Sequence, residues 1–202
     1  MSFFESVYQG ILLTSIWEWI AVLTGVAYVI LAAFRSNWCW SFAIVSSSIY
    51  VYLCIIGQLY IESVLQLFYV VMGIVGWIAW TRDNDQHSEE KELSFWSIKS
   101  HILNIGLSGI GALVLGFSFA SFTNQANPYA DAFTTIFSLV ATFMVIQKVV
   151  ENWIYWIVID IVSIFLYHQR GYSLSAVLYF VFTILAIFGF IAWYKKFKLQ
   201  SR

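Results

Sequence analysis

The sequence predicts an all-α integral membrane protein, and three observations carry that prediction. Hydrophobic residues make up 61% of the 202-residue chain and charged ones only 10%, more apolar surface than a water-soluble domain of this size can bury. Apolar runs approaching the ~20 residues a helix needs to cross the hydrocarbon recur at about 17–34, 38–56, 61–80, 102–120, 132–147, 153–169 and 173–194. No ten-residue alternation of a membrane barrel accompanies them, so helices that satisfy their own backbone groups are expected.

Taken in order, the runs give seven transmembrane helices. Trp17, Trp19, Trp38, Trp77, Trp80 and Trp193 fall at run ends, where interfacial aromatics belong. The opening "MSFFESVYQG" lacks a basic n-region, and the next run carries Glu18 without a cleavage site, so no signal peptide is expected. Glu18 and Asp131 begin their runs, a placement that solvation or a helix N-terminus accounts for. The polar segment "TRDNDQHSEEKELSFWSIKS" (81–100) mixes both signs and reads as a solvated connector. A seven-helix count puts Arg35, Arg82, Lys91, Lys99, Lys148, Lys195, Lys196, Lys198 and Arg202 on one side and only Arg170 on the other. That bias predicts a cytoplasmic C-terminus and an outside N-terminus.

The chain also repeats itself. "NWCWSFAIVSSSIYVYLCIIGQLY" (37–60) parallels "NWIYWIVIDIVSIFLYHQRGYS" (152–173), and "GWIAW" (76–80) parallels "GFIAW" (189–193). The expected organisation is a three-helix repeat over 1–80, the connector 81–100, a linker helix over 101–121, and a second repeat with a cytoplasmic tail over 122–202. A single helix between the triplets makes both cross in one direction, a parallel-repeat layout that transporters use.

Differences between the halves point to a ligand. Aligned on Asn-Trp, Trp38 matches Trp153, Ser41 matches Trp156 and Val45 matches Asp160. Helical spacing brings Trp153 and Asp160 within about 20° of each other and Trp156 within about 60°, with Asn152 one turn before Trp156. An acid at this depth costs on the order of 3 kcal/mol, and no Lys or Arg at mid-depth offsets it. The expectation is that the substrate supplies the positive charge while the indoles stack on its ring. Glu62, Gln66 and Tyr69 form a polar stripe on the third run, and Ser175, Tyr179 and Thr183 another on the last. Gln147 lies near the Glu151-Asn152 head. Packing within a membrane bundle explains such stripes as readily as ligand contact does.

Other classes are disfavoured. A net charge of −1 argues against nucleic acid as a partner. A retinal protein needs a lysine in its last helix, and none precedes Lys195 in that run. His87, His101 and His168 form no His-Glu-x-x-His pattern, and Cys39 and Cys54 suit packing rather than metal. Neither an enzyme nor a bound cofactor or metal is expected.

"VENWIYWIVIDIVS", the terminal "GFIAW" and the three-plus-one-plus-three layout resemble the PnuC-type vitamin transporters, which include a thiamine branch called PnuT. The resemblance implies facilitated uptake of an unphosphorylated vitamin, trapping by a cytoplasmic vitamin kinase, a homotrimer in the bacterial inner membrane, and a fold akin to the SWEET sugar transporters. By motif it carries ligand contact to Trp153, Trp156, Asp160, Gln66 and Tyr179. Nicotinamide riboside carriers of the family often have asparagine where Asp160 stands. A carboxylate only accepts hydrogen bonds and neutralises charge. The sequence therefore favours thiamine, with nicotinamide riboside as the alternative.

Overall fold

Eight helices are built in the computed structural model, which describes residues 3–58, 60–85, 93–123 and 127–200. They are α1 (Phe3–Leu13), α2 (Ile16–Ala33), α3 (Trp38–Ile56), α4 (Tyr60–Asp85), α5 (Ile98–Phe122), α6 (Pro128–Ile146), α7 (Asn152–Gln169) and α8 (Ser173–Gln200). Local chemistry sets their starts. Ser15 and Glu18 form a reciprocal capping box on α2, with the Ser15 N–H donating to Glu18 Oε2 at 2.6 Å. Ser97 caps α5 through the Ser100 N–H at 3.1 Å, and Pro128 opens α6, where its missing N–H costs nothing.

Among the described residues, six helices are long and apolar enough to cross a membrane: α2, α3, α4 over Glu62–Arg82, α5, α6 and α8. The sequence predicts seven. α7 has the length, 18 residues, but Asn152, Asp160, His168 and Gln169 lower its apolar content. Part of the connector, residues 86–92 with Lys91 and His87, lies outside the described residues.

By contact the chain divides into two units. One spans 9–92 and 188–202, where α2 packs on α3 and α3 on α4. Its core is aromatic: Trp40, Trp80 and Trp193 are each 1% exposed. Trp40 meets Trp80 edge-on at 5.3 Å, Trp80 lies 6.4 Å from Trp193, and Trp193 Nε1 donates to the Ala32 carbonyl at 3.1 Å. Trp80 and Trp193 are thus core residues rather than interfacial anchors, a correction to the aromatic-belt assignment, whereas Trp17 and Trp38 are exposed as that belt requires. The other unit spans 93–187 with the first residues of α1, and there α5 packs on α6 and α6 on α7.

Matching turns recur along the chain. Arg35 and Lys148 both adopt φ 57, and Gln58 (φ 57) corresponds to Gly171 (φ 80). Each pair stands 113 residues apart, as do Trp80 and Trp193. The bonds around them match one for one. Arg35 N–H donates to Ala32 O and Ser36 N–H to Leu31 O; Lys148 N–H donates to Val145 O and Val149 N–H to Met144 O. Both are the left-handed helix stop in which two orphan carbonyls are satisfied by the following turn.

This register corrects the alignment on Asn-Trp. Trp153 corresponds to Trp40, not Trp38, and Asn152 to Cys39; both residues of each pair are buried. Ala43 then stands opposite Trp156 and Ser47 opposite Asp160. The Asn-Trp match is a coincidence of aromatic-rich apolar sequence, two residues out of step with the backbone.

Candidate functional site

The face of α7 that the sequence singled out turns inward. Asn152 is fully buried, Trp153 is 3% exposed and Asp160 4%, while Trp156 is half-buried. Trp153 is therefore no interfacial anchor. Trp156 packs against a core of Ala141, Met144, Val149, Tyr155 and Ile159, which fixes the plane of its ring.

Asp160 is the anomaly. No hydrogen bond or ion pair joins it to another described residue. It is buried, and no described residue of a neighbouring helix bonds it, which leaves a carboxyl that is either neutral or open to a ligand. Asn152 adds a second unmet demand: its Nδ2 donates to the Val149 carbonyl at 2.6 Å, but its buried Oδ1 has no partner. A buried acceptor left open costs about 1–3 kcal/mol, so Asn152 Oδ1 calls for a donor-bearing guest, and the nearly buried Asp160 carboxyl suits a donor or a cation.

Sequence reasoning missed one member of this face. Tyr167 is seven residues beyond Asp160, as Asp160 is seven beyond Trp153, so the three return to nearly one line along α7. Tyr179 of α8 stacks on the Tyr167 ring at 5.1 Å with 22° between planes. The heptad spacing was the available signal. Thr183 spends its hydroxyl on the Tyr179 carbonyl at 2.9 Å, so it braces α8.

The remaining candidates are placed as follows. Gln147 ends α6 as its C-cap, five residues before Asn152 in the turn that precedes α7. Glu62, Gln66 and Tyr69 lie on α4 in the other unit, Glu62 exposed and the other two half-buried. Gln66 is the repeat counterpart of Tyr179. Asp131 lies in the first turn of α6, where the Arg170 guanidinium donates to its Oδ2 at 2.5 Å, tying the start of α6 to the end of α7. That bond and the Asp131 charge raise the Arg170 pKa above its ordinary value, partly offset by burial. No cluster among the described residues could hold a metal ion.

Comparisons with known proteins agree on a transporter. The family model described as nicotinamide mononucleotide transporter matches residues 15–195. The nicotinamide riboside transporter PnuC of Escherichia coli is 26% identical over 162 residues, covering 67% of each chain. The riboflavin/roseoflavin transporter RibM of Streptomyces davaonensis is 23% identical over 172 residues, covering 83% of this chain and 79% of that one. The crystal structure of the vitamin B3 transporter PnuC superposes with a TM-score of 0.72 at 24% identity, over 97% of this chain and 90% of that one. With that model spanning most of its length, the chain belongs to the nicotinamide mononucleotide transporter family, the PnuC family of multi-pass membrane transporters.

Proposed function

We propose that the chain carries nicotinamide riboside into the cell by facilitated diffusion. The observation that bears most weight is Asp160, buried on α7 without a hydrogen bond or ion pair to another described residue and preceded one turn earlier by the indole of Trp156. Nicotinamide riboside brings the two things this face lacks: a fixed positive charge on a flat ring, and hydroxyl and amide donors for Asp160 and Asn152 Oδ1. The relatives named for nicotinamide riboside move the substrate away from the thiamine that the sequence favoured. Thiamine is the second reading, because its thiazolium and aminopyrimidine suit a carboxylate at position 160 equally well.

In this reading α7 is the seventh span, giving two three-helix repeats joined by α5, with the C-terminus in the cytoplasm. The repeats alternate access, with Trp153, Trp156, Asp160 and Tyr179 as the ligand contacts of the second half and Gln66, Tyr69 and Glu62 of α4 as the candidates of the first. A cytoplasmic kinase traps the product, and the carrier works as a homotrimer. The deciding experiment titrates the purified protein with nicotinamide riboside, thiamine and riboflavin and follows tryptophan fluorescence. Quenching by nicotinamide riboside is expected, with Trp156→Ala weakening it about 2–30-fold for the loss of one stacking wall. Binding of riboflavin alone overturns the cationic reading.

A further inference from the structure

α7 carries a second polar face, about 100° round the helix from Trp156. Glu151 Oε1 accepts from the Trp96 backbone N–H at 3.2 Å and lies 3.0 Å from His101 Nε2. The other ring nitrogen, His101 Nδ1, is 3.0 Å from the Tyr155 hydroxyl. Glu151 and Tyr155 are four residues apart and share a face, so one imidazole from α5 spans a whole turn at the head of α7. The backbone reinforces the link: Ser94 N–H donates to the Lys148 carbonyl at 3.2 Å and Val150 N–H to the Ser94 carbonyl at 2.9 Å. The bonding survives either charge state of the ring. A neutral imidazole donates to Glu151 and accepts from Tyr155; an imidazolium donates to both. The side chains of His101 and Glu151 are only 20% and 13% exposed, so the pair is shielded from water. In the first repeat Trp38 and Phe42 stand at the positions of Glu151 and Tyr155, and neither can accept such a bond.

We propose that Glu151, His101 and Tyr155 are positioning residues that clasp α5 to the head of α7. The clasp fixes the rotation of α7 about its own axis, and that rotation aims Trp156 and Asp160 at the substrate. It follows that α5 is no passive tether between repeats: it moves with α7 as one body through the transport cycle. The proposal rests on α7 being the substrate helix, as proposed above.

Its test uses the full-length protein in three measurements. First, His101→Ala should speed amide hydrogen exchange over 152–156 about tenfold or more, because a charge-assisted bond and its companion are lost together. Second, His101→Ala should weaken nicotinamide riboside binding about tenfold while the maximal transport rate in proteoliposomes stays within about twofold. Tyr155→Phe should do the same to a lesser degree. Third, a short bifunctional thiol cross-linker joining His101→Cys to Glu151→Cys, in a Cys39→Ala, Cys54→Ser background, should restore binding and leave transport running. Unchanged exchange in His101→Ala, or a cross-link that stops transport while binding persists, overturns the clasp. Failure of the substrate reading looks different: Trp156→Ala and Asp160→Asn would then leave binding intact, and the exchange rates would still decide whether His101 holds α7.

Discussion

Replacing Asp160 by asparagine removes one charge and almost no volume, so it isolates the electrostatic part of recognition. A unit charge about 4 Å from the carboxylate is attracted by about 4 kcal/mol at the effective dielectric of a protein site. Binding does not keep all of this, because the ligand cation gives up its hydration on entering. Asp160, at 4% exposure and with no partner among the described residues, has already lost most of its own. A net contribution of about 1.5–3 kcal/mol is therefore expected, as for hydrogen bonds to charged groups, or about 10–150-fold in Kd. The control is the reduced form of nicotinamide riboside, which keeps the ribose and carboxamide but has an uncharged ring. Isothermal titration of both ligands against both proteins should show Asp160→Asn weakening the cationic form by that factor and the neutral form by less than about twofold. The ligand-free variant should melt no lower than the parent, since an uncompensated acid has been taken out of the interior. Equal loss for both ligands, or no loss for either, would refute the idea that substrate charge answers Asp160.

Three further perturbations follow from particular contacts. A Cβ at Gly76 would sit 2.5 Å from the Trp40 ring, whereas one at Gly106 meets nothing within 4 Å; Gly76→Ala should cost about 1–3 kcal/mol and Gly106→Ala should be neutral or gain up to about 1 kcal/mol, read as melting shifts in detergent. Asp131 and Arg170 are bonded at 2.5 Å with side chains 16% and 22% exposed, so Asp131→Asn and Arg170→Gln should each destabilise by about 1 kcal/mol and together by less than their sum in a double-mutant cycle. Asn152→Leu removes both an amide donor held by Val149 and an acceptor that is already unsatisfied; stability should stay within about 1 kcal/mol while ligand binding weakens at least several-fold, and a variant that unfolds instead makes Asn152 a structural residue.

The sequence made the membrane class legible because hydropathy is a sum over long windows, and the aromatic-acid face of α7 legible because helical spacing converts directly into direction. It was less informative wherever the answer depended on which residue a turn selects. Arg35 and Lys148 in left-handed backbone set the repeat register, and nothing in their composition announces it, since glycine and asparagine are the residues that normally mark such turns. Interfacial tryptophan and buried tryptophan also look alike in one dimension, which is why Trp80 and Trp193 were placed at the surface when they are core. His101 and Glu151, fifty residues apart, could not be paired from spacing at all. Nor could Asp131 and Arg170, whose union depends on how α6 and α7 pack. Long-range polar pairs are a property of packing rather than of pattern.

The corrected register separates scaffold from function more cleanly than the sequence alignment could. Positions that keep their chemistry across 113 residues are the tryptophans 40 and 153, the tryptophans 80 and 193, and the turns at 35 and 148, all of which pack or shape the backbone. On the inward face of α7, Cys39 gives way to Asn152, Phe42 to Tyr155, Ala43 to Trp156 and Ser47 to Asp160, which adds an amide, a phenol hydroxyl, an indole and a carboxyl to the second half. Tyr155 and Trp156 have packing partners of their own, but Asn152 and Asp160 bring the second half little structural advantage. Asn152 leaves its buried Oδ1 unsatisfied among the described residues, and Asp160 is a nearly buried carboxyl, each of which is a cost. Under the proposed function, polar groups that face one way on α7 and are missing at the positions 113 residues earlier are there for a ligand, which α7 contacts and α3 does not. In that proposal the matching turns supply the common frame, and the polar face of α7 gives the alternation of the two halves something to carry.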